Sequence, residues 1–169
     1  MPTLTPTIRR VELAPRLLAT RRTTAHGLRL RSYQGDDVGG ANEDVIRVVL
    51  QSWGEGVDAA KAATRRYFAD DCVWEQSGFP TTTGPEEAAE LFNSMGAMGF
   101  VSVDVDFRNV VSAGDVVCTE RIDWLVRPDG SRVGPLPIVG VTEFRDGKIS
   151  SWREYFDRTH LTRATHASE

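Results

Sequence analysis

Three charged residues stand at strand spacing in the second half of the chain. Arg121 and Asp123 are two apart, and Glu154 lies between Trp152 and Phe156. Residues two apart on a strand share a face, so Arg121 and Asp123 point one way together, and Trp152, Glu154 and Phe156 form a second row. A glutamate between two aromatics has two readings. Desolvated, its pKa rises and it becomes a candidate acid or base; at a sheet edge, its end stays in water. The strand alone favours the edge, since glutamate is seldom buried. Arg121 and Asp123 are equally open. The opposite face of their strand carries Cys118, Ile122 and Trp124, so periodicity sends the charged pair to solvent unless both faces are covered. A buried Arg–Asp pair needs further partners, and Glu154 would serve. An earlier strand sets Cys72, Trp74 and Gln76 on one face.

Little else in the sequence competes for chemistry. There is no glycine-rich phosphate loop and no nucleophile elbow. His26, His160 and His166 have no ligand spacing on a regular element, so neither metal nor cofactor is expected. Two cysteines cannot build a disulfide framework. Cys72 and Cys118 read as structural thiols of a reducing compartment, which points to the cytoplasm. With no apolar run of about 18 residues, no membrane partner is expected. A net charge of −4 leaves no electrostatic footprint for nucleic acid.

The elements that would position these residues are legible. The chain has 169 residues, enough for one domain. Residues 1–35 hold seven arginines and one acid, Glu12, leaving 13 bases and 23 acids for the rest. Residues 1–41, with scattered prolines and no sustained period, read as a basic, disordered arm. A transit peptide or a downstream translation start are alternatives. The domain is expected over 42–160, with a tail at 161–169. Asn42 is a plausible N-cap for a helix with Ile46, Val49, Leu50 and Trp53 on one face. A second helix follows Asp58 and carries Ala60, Ala63, Tyr67 and Phe68 on its apolar side. Cys72–Gln76 reads as a strand and Gly78–Gly84 as a loop. Pro85, followed by Glu86 and Glu87, opens a third helix with Ala88, Leu91, Phe92 and Met95 inward. The period then changes to two, from Val101 onward. Strands are expected over Val101–Phe107, Val116–Arg127, Leu136–Phe144 and Lys148–Asp157, the last two joined by an Asp146-Gly147 hairpin. Helices followed by hairpin-linked strands predict an α+β fold, with about three helices on one face of a curved, mostly antiparallel sheet.

With those elements in place, the sequence resembles a known family. Cys118-Thr119-Glu120-Arg121-Ile122-Asp123 is similar to the T-E-R-x-D strand of the limonene-1,2-epoxide hydrolases. Gly140-Val141, Gly147-Lys148-Ile149 and Trp152-Arg153-Glu154-Tyr155-Phe156-Asp157 resemble the ending of that family, and Trp74-Glu75-Gln76 stands where it has Y-x-N. The resemblance covers roughly Asn42 to Asp157. It implies the cone-shaped fold of nuclear transport factor 2, SnoaL-like proteins and ketosteroid isomerase, usually dimeric, around an apolar pocket. It also implies one-step hydrolysis of a small hydrophobic, terpene- or polyketide-like epoxide to a vicinal diol, without a covalent intermediate or cofactor.

Carried over residue by residue, the resemblance makes Asp123 the general acid, Arg121 the bridge between two carboxylates and Glu154 the base. Trp74 and Gln76 take the positions that hold the water. Three of these five depart from the family pattern, which has Asp, Tyr and Asn at 154, 74 and 76, so the base half is remodelled. The implied lining is Phe79, Met95, Leu136, Ile138 and Trp152, with Phe92 reading better as core. The face bearing Cys118, Ile122 and Trp124 would pack a second subunit. Two other functions fit the same fold: a polyketide cyclase or isomerase that opens an epoxide with an internal hydroxyl, and a non-catalytic binder of hydrophobic ligands.

Overall fold

In a computed structural model of the protein, residues 38–160 are described. Most of the expected arm 1–41 and all of the tail 161–169 lie outside the described residues. The elements are α1 (Val38–Ser52), α2 (Val57–Tyr67), β1 (Phe68–Gln76), β2 (Thr82–Thr83), α3 (Gly84–Ala97), β3 (Ser102–Ala113), β4 (Val116–Val126), β5 (Arg132–Arg145) and β6 (Lys148–Tyr155). The strands form one sheet in the order β2-β1-β6-β5-β4-β3. Only β1 and β6 run parallel; the other neighbours are antiparallel. The architecture is therefore α+β with a mixed, mostly antiparallel sheet, as the sequence predicts.

Each helix forms for local reasons and then buries one stripe. On α1, Ile46, Val49 and Leu50 recur at helical spacing and are fully buried, with Trp53 just past its end. The helix starts at Val38 rather than at an Asn42 cap, because Gly39 and Gly40 weaken a helix without ending it. α2 has Asp58 in its first turn and Arg65 and Arg66 in its last, matching the helix dipole. Its buried stripe is small (Ala60, Ala63, Thr64), which allows it to lie close to α1 and α3. Pro85 opens α3 as expected.

Other boundaries differ from the sequence reading too: β3 runs on to Ala113, β5 starts at Arg132 and β6 ends at Tyr155. Phe68 leaves α2 and begins β1, where it is buried edge-on to Trp74, with ring centres 5.9 Å apart. The expected loop 78–84 contains the short β2, which pairs with Val73 and Trp74 of β1. The Asp146-Gly147 turn joins β5 to β6 with φ of 53° and 74°. Both residues are thus in the left-handed region that a two-residue type I′ hairpin requires.

The helices lie on one face of the sheet: α1 packs on β3 and β4, and α3 on β1. This settles which strand face is inward. On β4, Val117, Thr119, Arg121 and Asp123 are all buried, while Cys118, Ile122 and Trp124 are only half-buried on the opposite face. The charged pair therefore faces the helices and not solvent. Cys72 points into the same core, and burial, with a smaller push from Asp71, raises its thiol to about 12. It is an inert structural thiol, as expected.

Candidate active site

β4 supplies Arg121 and Asp123, and β6 supplies Glu154, with β5 between them. The register sets Thr119, Gly140 and Glu154 in one line across the three strands. Gly140 matters because it has no side chain. A Cβ there would stand 2.8 Å from Thr119 Oγ1 and 3.1 Å from both Arg121 Nη1 and Trp152 Nε1. The glycine leaves a gap through which the Arg121 side chain, starting on β4, crosses β5 to reach β6.

The arginine spans two carboxylates. Its Nε donates to Asp123 Oδ1 at 2.9 Å, its Nη2 donates to Glu154 Oε1, and its Nη1 makes a long contact of 3.5 Å to Thr119 Oγ1. The three side chains are 0%, 4% and 2% exposed for Arg121, Asp123 and Glu154. The edge reading of Glu154 is thereby overturned: β6 lies between β1 and β5 and has no free edge at this point. Trp53 covers the guanidinium from the helix side, with its ring centre 5.6 Å from the guanidinium carbon.

One cation between two buried carboxylates leaves an excess negative charge, which a dry site tolerates poorly. Burial pushes the Asp123 carboxyl up to about 6; Arg121 opposes the rise and the Glu154 charge adds to it. Burial also works against the Arg121 charge, but Glu154 and Asp123 outweigh it and raise the arginine above its ordinary value. The site can hold a proton on Asp123 up to about pH 6, well above the ordinary aspartate range, while the arginine stays charged.

The second oxygen of Glu154 is also occupied. Oε2 accepts the Trp74 indole N–H at 3.0 Å and a Gln76 amide N–H at 3.2 Å. Parallel pairing of β1 with β6 sets Trp74 opposite Trp152 and Gln76 opposite Glu154. Here one expectation needs correction. An indole has a single N–H and no acceptor, and Trp74 gives that N–H to Glu154, so it does not hold a water. Gln76 keeps a second N–H and a carbonyl.

A cavity of about 220 Å³ opens above this cluster. Asp123, Arg121, Glu154, Gln76 and Trp74 all line it, as do Phe79, Met95, Leu136 and Ile138. Phe92, read as core, lines it too. Trp152 does not. It is fully buried one layer deeper, stacked on Trp53 at 5.7 Å and on Trp74 at 5.3 Å, so it supports the site from beneath. Several lining residues were missed, among them Trp53, Met98, Phe100, Leu125 and Phe156. Trp53 reads from sequence as the end of a core stripe, and only its place beside Gly54, where the helix stops, marks it as different. Among the described residues, no group of His, Cys, Asp and Glu is arranged to hold a metal ion.

With this geometry in view, comparison with known proteins is informative. A family model of the limonene-1,2-epoxide hydrolase catalytic domain matches residues 41–167. The chain belongs to that family. It is 36% identical over 107 residues to epoxide hydrolase EphG of Mycobacterium tuberculosis (strain ATCC 25618 / H37Rv), a match covering 61% of this chain. The match spans 64% of EphG, slightly less than two thirds of its length. Among solved structures, an LEH-like epoxide hydrolase of M. tuberculosis shares 28% identity at a TM-score of 0.61, covering 76% of this chain and 94% of that one. A SnoaL-like polyketide-cyclase candidate from Jannaschia sp. CCS1 aligns at a TM-score of 0.63 with 20% identity, covering 79% and 96%. That last likeness is one of fold alone.

Proposed function

We propose that this protein hydrolyses a small apolar epoxide to a vicinal diol in one step. The observation that carries the reading is the guanidinium of Arg121 held between two buried carboxylates at the floor of an apolar cavity. Membership of the epoxide hydrolase family supports it.

Opening an epoxide without a covalent intermediate needs a base on one side of the ring and an acid on the other, acting together. Glu154 takes a proton from a water lying against it and Gln76. The water oxygen bonds to a ring carbon as the C–O bond there breaks. Asp123, held protonated by burial, gives its proton to the departing epoxide oxygen. Each turnover then leaves the proton on Glu154, and its return to Asp123 resets the site; both carboxyls share Arg121. The substrate is a hydrophobic, terpene- or polyketide-like epoxide, since Phe79, Met95, Leu136 and Ile138 offer it no polar partner. No metal or other cofactor is required by these steps.

The protein acts as a homodimer in this reading. The sheet face away from the helices carries Cys118, Ile122 and Trp124, and beside them the exposed Val111, Val139 and Tyr155. That apolar area suits a second copy of the chain. No helix among the described residues is long and apolar enough to cross a membrane. Both cysteines are free thiols, in keeping with a cytoplasmic enzyme.

The test is a panel of apolar epoxides in H₂¹⁸O with product analysis. A diol carrying one labelled oxygen is expected. An unlabelled cyclic ether would replace hydrolysis by cyclisation through an internal hydroxyl. Saturable binding of the epoxides with no product at all would make the protein a ligand binder.

A further inference from the structure

The Glu154 carboxylate accepts three hydrogen bonds, whereas Asp123 accepts one from Arg121. A carboxylate has about four lone-pair sites. Oε2 receives two donors, Trp74 Nε1 and Gln76 Nε2, and Oε1 receives one, Arg121 Nη2. One site remains, and it is on Oε1.

Trp74 itself has little freedom. Its ring lies against Trp152 at 5.3 Å, Phe68 at 5.9 Å, Trp53 at 6.0 Å and Phe92 at 6.2 Å. It is 2% exposed, and its strand is pinned on both sides by β2 and β6. A side chain clamped by four rings cannot follow a moving partner, so the partner must come to it. Aspartate at 154 would fall short by one methylene; the longer glutamate brings Oε2 to the fixed N–H.

We infer that Trp74 is a positioning residue which anchors Glu154 Oε2 through its indole N–H, so that Oε1 is the oxygen receiving the proton of water. This rests on the hydrolase reading, with Glu154 as base. Gln76 shares the anchoring and has a carbonyl left for the water. Removing the N–H leaves Oε2 on the longer Gln76 bond alone, so the carboxylate can shift, and a displacement of about 1 Å at a reacting group can cost about 10²-fold in rate.

Two measurements test this. The first needs no turnover. The indole N–H signals of Trp53, Trp74, Trp124 and Trp152 are recorded by ¹⁵N NMR in the native protein and in Glu154→Gln, which keeps the shape and removes the charge. The Trp74 proton is expected downfield in the native protein and should move upfield in the variant by more than that of Trp124, which lies on the far sheet face. An unmoved Trp74 signal overturns the inference. The second uses Trp74→Phe and, as a closer isostere, benzothienylalanine at position 74, in which sulfur replaces the N–H. Both should lower kcat about 30- to 100-fold with KM within threefold. Unchanged kcat, or a loss confined to KM, would make Trp74 a wall of the cavity only. If the native protein turns over no epoxide, the hydrolase reading fails, and the NMR arm still decides whether the anchor exists.

Discussion

The two sides of the Arg121 bridge are built in opposite ways. Asp123 is two residues from its arginine on the same strand and takes one bond from it, so a single strand carries the whole acid side. Glu154 is held by three residues from two other strands, two of them about 80 positions away in the chain. In the proposed reading the acid side keeps the residues of the resembled pattern, whereas the base side departs from it at three positions. Two of those three residues, Trp74 and Gln76, bond to the third, Glu154. A side built on one strand depends on that strand alone; a side built from several elements depends on all of them being in place.

Asp123→Asn strikes the simple side and should have the largest effect. Turnover is expected to drop about 10³-fold, within the range for losing a general acid. The same variant should gain thermal stability at pH 8, by up to about 3 kcal/mol, because the amide escapes the cost of ionising a buried carboxyl. A Tm measured beside kcat separates the two effects; equal activity in the variant would remove Asp123 from the reaction.

The pH profile comes next. In the proposed mechanism Asp123 must be protonated to act, and its carboxyl is raised to about 6 by burial. The kcat/KM profile should therefore fall above pH 6, approaching tenfold per unit. The sign for stability follows the same logic. A raised carboxyl contributes stability that is complete below the ordinary aspartate range and is lost as pH rises through about 6. A rate that rises through pH 6–8 would reverse the roles of Asp123 and Glu154.

Gly140→Ala tests what joins the two sides. The added carbon would meet Thr119 Oγ1, Arg121 Nη1 and Trp152 Nε1, all on buried side chains. Overpacking of this kind costs about 1–3 kcal/mol, and the displaced guanidinium should loosen Glu154 more than Asp123. A roughly tenfold fall in kcat with a lower denaturation midpoint is expected. The smallest effect on chemistry should come from Ile122→Glu. It faces away from the cavity, so light scattering should report monomers while the residual turnover per chain stays within a few-fold.

The acid side was legible in the sequence for the same reason that it is simple. Arg121 and Asp123 share a strand, and period two alone puts them on one face. That this face is inward was not legible, because it depends on α1 and α3 covering the sheet. Glu154 was harder. Its strand alone favours an exposed edge, and its burial follows from β1 pairing on the far side, a contact remote in sequence. Trp152 and Trp53 were exchanged in the reading of the cavity for a related reason. Trp152 has the right strand face but the wrong depth, and Trp53 approaches from the end of a helix, where periodicity says only that it is buried. The anchoring role of Trp74 needed coordinates, since nothing in its spacing marks where an N–H will point.

The parallel pairing of β1 with β6 among the described strands also predicts an order in time. Chain closure over a long separation costs more entropy and is slow to form. The acid and its arginine can meet as soon as β4 is extended. The base meets its indole and amide only when the last strand inserts between the first strand and β5, with nearly the whole domain already made. A chain stalled before that insertion would carry the guanidinium and Asp123 without Glu154, and in the proposed mechanism would be inert toward an epoxide for want of a base.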